Sequence, residues 1–305
     1  MTDQVRIAAH AKANLFLRVL AKEATGYHTL ETVFTLLELA DELVVERTAS
    51  GIELSVTGAA TGPAEQNLAW RAAQLVLAAT GNRFGVRIQL TKRIPVQAGL
   101  GGGSSDGAAA LVAMNRLAGD AVPRHELLQL ATRLGSDAPF FASGAPMALA
   151  WGRGERLFRL RAPKSAPVLV VVPPFGHDTK GVYDRLDDSR SADFQRGAVV
   201  LEAEGLTSWG DIGRLGGNDF ESVVFSGTPL LRDLFERLAA TRPLLVRMTG
   251  SGSALFAVYR SEEDRDTAAL QVGERDARLI KTATRAVAAA APEKAGDGSH
   301  GGASG

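Results

Sequence analysis

Residues 94–111 read IPVQAGLGGGSSDGAAAL, and residues 104–117 continue so that Leu111, Met114 and Leu117 fall on one helical face before Gly119. Small residues from Gly99 to Gly103 let backbone N–H groups approach an anion closely, and the helix that follows adds roughly half a positive charge at its N-terminal end. A phosphate cradle is the reading. It is not the Walker A loop, because no Gly-Lys-Ser/Thr occurs, and not the dinucleotide fingerprint, because its sixth position is Ser104. Residues 103–107 also match the G-x-S-x-G elbow of serine hydrolases, with Ser105 as the rival nucleophile. That elbow needs a strand running straight into the turn, whereas 95–101 is poor in strand formers. ATP-independent ester cleavage is the property that would separate the two readings.

Outward from the loop, the chain reads as α+β. At 5–19 the apolar residues occupy odd positions, the period of a half-buried strand, and Arg6, His10, Lys12, Asn14 and Arg18 share the even face. On the residues alone that face reads as solvated. Further strands are expected at 42–47, 51–56, 85–91, 147–151, 168–172, 244–249 and 254–259, and helices at 67–79, 123–134 and 262–272. Ser136 and Asp137 fall in a turn after Gly135. Pro163 and Pro167 bracket a hinge, which gives two domains, 1–163 and 164–290. The run from 291 to 305 has little to bury and is expected to be a disordered tail.

Composition narrows the function classes. Among 305 residues, 34 basic and 34 acidic side chains cancel, so no bulk field recruits nucleic acid or an anionic membrane. The absence of cysteine rules out thiolate metal sites and disulfides and fits a reducing compartment. The N-terminal residues lack a signal-peptide h-region, and the apolar run at 166–175 is too short to span a bilayer, so a cytoplasmic protein is expected. Oligomeric state is not readable from these residues.

Four ordered motifs carry a resemblance: AHAKANLFLRVL with ATGYHTLETVF, IPVQAGLGGGSSDGAAAL, GSDAPFF, and MTGSGSALFAVY. Together they resemble the GHMP kinase superfamily, and within it the branch whose acceptor is a cytidine-diphosphate-linked methylerythritol. The resemblance implies a two-domain α+β fold. Its N-terminal domain would be of the ribosomal protein S5 domain 2-like kind, its C-terminal domain a ferredoxin-like α/β sandwich, and the active site would lie between them. It implies ATP as phosphoryl donor with Mg2+, no side chain being assigned to the metal. Asp137 takes the place of the catalytic base and Lys12 that of its cationic partner. Pro95, Gly99, Leu100, Gly101, Gly102, Gly103, Ser104 and Ser105 take the phosphate loop. Asn67 takes the adenine contact, although it is also a good N-cap for the helix that follows. Tyr27 and His28 take cytidine recognition, with Thr179 and Tyr183 near the pyrimidine and Asn14 orienting substrate or the lysine. The motifs depart from the family pattern at Gly107, where alanine is usual, and at Ala138, where valine is usual. Neither change removes a functional group. Other GHMP kinases, acting on homoserine, mevalonate or a sugar, are the nearest alternative, and a nucleotide-binding protein without catalysis is a further one.

Overall fold

The computed structural model describes residues 3–190, 204–288 and 293–294. The period-2 run at the N-terminus forms β1 (Gln4–Lys22), which pairs antiparallel with the long β2 (His28–Thr48). Their register shifts between His10 and Lys12, Asn14 and Phe16, and Val19 and Ala21. Such bulges re-aim side chains and increase twist. From His10 onward the even face of β1 is therefore not the solvated face the alternation suggests: Arg6 is exposed, but His10, Lys12, Asn14 and Arg18 are all buried.

The rest of the first half is β3 (Ile52–Thr57), α1 (Leu68–Ala79), β4 (Gly85–Thr91), α2 (Gly102–Leu117), α3 (Arg124–Thr132), α4 (Ala138–Ser143), β5 (Met147–Gly152) and β6 (Arg156–Leu160). The far edge of β2 forks, pairing with β5 over residues 30–35 and with β4 over 42–48. β3 lies parallel to β4, and β6 pairs with β5. Alanines on α1 and α2 (Ala69, Ala72, Ala73, Ala108, Ala110 and Ala113) are buried and let the two helices pack closely over the sheet. Gly107 follows from the same closeness, because a Cβ there would stand 3.0 Å from Leu68 Cβ. The crowding, more than the helix propensity, accounts for a glycine at this position.

The second half contributes β7 (Pro167–Val172), α5 (Thr179–Ser189), α6 (Trp209–Ile212), α7 (Phe220–Gly227), α8 (Pro229–Ala240), β8 (Leu245–Met248), β9 (Leu255–Val258), α9 (Glu262–Val272) and β10 (Arg278–Ala283). Its strands form a separate antiparallel sheet in the order β10-β7-β9-β8. One apolar cluster fills this half, including Val171, Leu234, Leu238 and Leu255. Another joins the halves: Leu15 and Phe16 from β1 pack with Val168, Val170, Trp209 and Phe256. The linker read as a hinge is tied down, with Ala166 N donating to Thr284 Oγ1 at 3.0 Å and Ser165 Oγ donating to Thr284 O at 2.5 Å.

Residues 293–294 form a short strand, β11, beside Val5 and Arg6. The expectation of a disordered tail from 291 is corrected for those two residues, and the other residues of 291–305 lie outside the described ones. Among the described residues no helix is long and apolar enough to cross a membrane.

Candidate active site

β4 ends at Thr91 and α2 begins at Gly102, so residues 92–101 form a loop and no strand enters the turn at Ser105. Gly99 and Gly101 adopt left-handed φ of 77° and 71°. A Cβ on Gly99 would lie 2.1 Å from the carbonyl oxygen of Thr249, and one on Gly101 would lie 2.8 Å from Phe141 Cζ. Both conformation and space require glycine here. The first N–H groups of α2 have no partner within the helix. They border a cavity of about 620 Å³ lined by the loop from Pro95 to Gly103 and by Thr61, Asn67, Lys92, Ser104 and Asp106.

The two serines part company. Ser104 lines that cavity. Ser105 is 2 % exposed and donates its hydroxyl to the His10 carbonyl at 2.7 Å. The expectation that Ser105 reaches phosphate is corrected: its hydroxyl ties α2 to β1. Its burial also speaks against a hydrolase nucleophile, whose hydroxyl must stand exposed on its turn. Asn67 accepts from Ala69 N at 2.9 Å and donates to Thr61 Oγ1 at 3.2 Å, so it caps α1 while facing the cavity. Leu100 is buried, and its carbonyl accepts from Lys12 N at 3.0 Å.

Beneath the cradle lies a buried charge cluster that the sequence reading missed. Lys92 Nζ donates to Asp41 Oδ2 and, at 2.6 Å, to Asp106 Oδ2. Burial pushes the Asp106 carboxyl up to about 8, against the pull of Lys92. The signal available was an ionisable residue set in a run of serine, glycine and alanine at the start of a helix.

Lys12, 3 % exposed, lies with Nζ 3.7 Å from Asp137 Oδ2. Burial lowers the lysine's pKa, and Asp137 opposes that shift. Asp137 is the residue before α4, and its side chain makes no cap bond there. Its carboxylate, 30 % exposed, is open to a ligand. Asn14 is 1 % exposed, and its Oδ1 accepts from Lys12 Nζ at 2.6 Å, Gly250 N at 2.9 Å and Thr249 Oγ1 at 3.1 Å. Its Nδ2 donates to Thr32 at 2.8 Å. Of the two readings of Asn14, orienting substrate or orienting the lysine, these bonds fit the second: the amide fastens Lys12 to the turn at 249–253. Asn218, unforeseen in the sequence, closes that turn by donating to Gly250 O at 2.7 Å.

A second group gathers where α5 meets β2. His28 stacks on Tyr183, with centroids 4.7 Å apart. Burial, with some help from the Asp137 charge, pushes the Tyr183 phenol up to about 12. His28 Nε2 lies 2.8 Å from Asp187 Oδ1, and Lys22 Nζ lies 2.7 Å from the other oxygen of that carboxylate. Asp187 was not anticipated, although it sits one helical turn beyond Tyr183. Tyr27 is 60 % exposed, with the Arg153 guanidinium 4.1 Å from its ring centroid. Thr179 is exposed and shares a 3.0 Å hydrogen bond with Ser251 of the glycine turn.

An anion cradle, a carboxylate beside a buried ammonium, and an aromatic shelf thus occur in one molecule. This set suits transfer of a phosphoryl group to an alcohol. The model of the GHMP kinases N terminal domain matches residues 67–145, and that of the GHMP kinases C terminal matches residues 200–278. A 4-diphosphocytidyl-2-C-methyl-D-erythritol kinase of Pelotomaculum thermopropionicum is 39 % identical over 277 residues, covering 90 % of this chain and 96 % of its own. The chain belongs to the 4-diphosphocytidyl-2-C-methyl-D-erythritol kinase family. A relative of the same name from Solibacter usitatus is 38 % identical over 93 % of this chain and 90 % of its own. A crystal structure of a 4-(cytidine 5'-diphospho)-2C-methyl-D-erythritol kinase superposes with a TM-score of 0.78 at 37 % identity, covering 92 % of this chain and 98 % of that one. A homoserine kinase from Cytophaga hutchinsonii, at 18 % identity and TM-score 0.67, shares the fold alone. The 4-diphosphocytidyl-2-C-methyl-D-erythritol kinase family is one of kinases, and its phosphoryl donor is ATP.

Proposed function

We propose that this chain transfers the γ-phosphoryl group of ATP to the 2-hydroxyl of 4-diphosphocytidyl-2-C-methyl-D-erythritol, in the cytoplasm. The observation that carries the reading is the Lys12–Asp137 pair, 3.7 Å apart, with Lys12 packed against the phosphate loop at Gly101. An alcohol is a weak nucleophile at neutral pH, so the Asp137 carboxylate takes the hydroxyl proton as the oxygen attacks the γ-phosphorus and the bond to ADP breaks. The Lys12 ammonium, held by Asn14, offsets the charge that develops at the transferring group.

The N–H groups at the start of α2, with Ser104, take the phosphate oxygens. Magnesium fits as an ion carried on the ATP phosphates, because it keeps several waters and is usually bound through substrate phosphates with one or two protein groups. When bound, it neutralises phosphate charge. Asn67 faces adenine while capping α1. Tyr27, His28, Tyr183 and Thr179 receive the cytidine end. With His28 Nε2 engaged by Asp187, the ring offers Nδ1, and Tyr27 offers its exposed face. The division into domains at 163/164 is part of the same proposal, supported by two separate sheets.

A coupled assay of ADP release with magnesium and ATP tests this, comparing the cytidylated acceptor with the same polyol phosphate lacking cytidine, homoserine and mevalonate. Turnover with the first alone is expected. Turnover with another acceptor would remove Tyr27 and His28 from recognition, and a folded protein that releases no ADP with any acceptor would overturn the reading.

A further inference from the structure

Helix α2 separates two cavities. Ser104 and Asp106 border the one at the phosphate loop, whereas Ala108, Ala109 and Val112 border a second, of about 660 Å³, on the other side of the helix. Ile7 of β1, Leu127 of α3 and Phe141 of α4 complete its wall, so the space is largely apolar. Alanine at 108, 109 and 142 keeps it open where larger side chains would fill it, as they do in an ordinary core. Its volume lies in the range that encloses most of a small ligand.

Most polar groups on this wall are already engaged within the chain. His10 Nδ1 donates to the Leu37 carbonyl at 3.1 Å, and burial, with Arg285 nearby, lowers the pKa of the ring and keeps it uncharged. Asn115 exchanges two 2.9 Å bonds with the backbone of Val122, and Arg116 pairs with Asp120. The Ser143 hydroxyl donates to the Phe140 carbonyl at 2.6 Å. Two guanidinium groups are left. Arg124, the first residue of α3, donates to the Ser143 carbonyl at 2.7 Å and has no carboxylate partner among the described residues. Arg159, on β6, has neither a hydrogen bond nor an ion pair among them. Both residues line the cavity and both are exposed, so each can reach a ligand there.

We propose that this cavity is a binding site for the phosphate monoester of a short apolar alcohol, with the chain against Val112, Leu127 and Phe141 and the phosphate on Arg124 and Arg159. A phosphate monoester carries nearly two negative charges and three acceptor oxygens, which match two unneutralised guanidinium groups; a carboxylate matches one. The apolar wall selects the chain, since each methylene buried strengthens binding about fourfold. Inorganic phosphate would leave that wall wet. The site shares only the helix α2 with the phosphate loop, so it stands whether or not the other cavity takes ATP.

Calorimetric titration of the full chain with octyl phosphate, below its micellar range, tests the site. Octyl phosphate should bind at least about tenfold tighter than butyl phosphate, and inorganic phosphate more weakly than either. Octyl glucoside and octyltrimethylammonium keep the chain without the anion and should bind at least several-fold more weakly. Arg124→Gln and Arg159→Gln should each weaken octyl phosphate about two- to fivefold, as for exposed ion pairs, and the double variant about tenfold. Both arginines are on the surface, so these variants keep the fold. Ser104→Ala, at the phosphate loop, should leave octyl phosphate affinity unchanged.

No binding of octyl phosphate, equal binding of octyltrimethylammonium, or wild-type affinity in the double arginine variant overturns the proposal. Octanoate binding tighter than octyl phosphate would overturn the phosphate head. Weakening by Ser104→Ala, with no effect of the arginine variants, would place the alkyl phosphate on the phosphate loop and overturn the second site.

Discussion

Asn14→Ala removes the acceptor on which three donors converge. The Thr249 hydroxyl can turn to the Gly99 carbonyl, 3.0 Å away, but the half-buried Gly250 N and the buried Lys12 ammonium lose their 2.9 Å and 2.6 Å partner. One orphaned neutral donor costs about 1–3 kcal/mol and a charged one more, so the variant should lose roughly 3–5 kcal/mol of stability. That is a large fraction of the 5–15 kcal/mol of an ordinary domain, and the melting temperature should fall by about 10 °C. Lys12 loses its tether as well, so kcat should fall at saturating ATP and acceptor. Asn14→Asp keeps the acceptors while pairing a second carboxylate with Lys12. It should melt closer to wild type yet turn over more slowly, because the ammonium is drawn from Asp137. Thermal denaturation with steady-state kinetics on the three proteins tests this. An Asn14→Ala protein that melts within about 2 °C of wild type with unchanged kcat would refute the claim that Asn14 holds the lysine.

Other substitutions separate chemistry from scaffold. Asp137→Asn should lower kcat by at least about 10²-fold while leaving ADP affinity, measured by calorimetry, within about threefold, and equal loss of both would make Asp137 structural. Gly99→Ala must place a side chain at φ 77° and 2.1 Å from the Thr249 carbonyl, so it should lose roughly 2 kcal/mol or more in chemical denaturation. Ser105→Ala should cost about 1 kcal/mol of stability with little change in the ATP KM, whereas Ser104→Ala should raise that KM with little change in stability, and the reverse pattern would contradict the placement of the two hydroxyls. His28→Ala should raise the acceptor KM more than it lowers kcat, and the opposite result would remove His28 from cytidine recognition.

The elements that could be read from the chain alone were those whose signals are local. Strand β4 at Gly85–Thr91 and helix α9 at Glu262–Val272 match their periodicity residue for residue, and Asn67 caps α1 as a polar residue before a helical run should. The glycine loop could be read as a cradle because a left-handed φ and a helix start leave local marks. Burial of the even face of β1 could not be read, because it depends on bulges and on the second sheet packing against that strand. The same limit hid the fates of Ser105 and Asn14, whose partners, His10 and Thr249 among them, lie 95 and 235 residues away. Asp41, Lys92 and Asp106 are three unremarkable charges until β2, the end of β4 and α2 bring them together. Asp187 likewise acquires meaning only when α5 lies against His28.

The most direct test of the central claim is to follow the reaction of wild-type protein with magnesium, ATP and 4-diphosphocytidyl-2-C-methyl-D-erythritol by phosphorus NMR. The account predicts a new phosphomonoester on the 2-oxygen of the polyol, in equal amount to the ADP formed, with the cytidine diphosphate intact. ADP accompanied by inorganic phosphate, or a phosphoryl group on another oxygen, would contradict it.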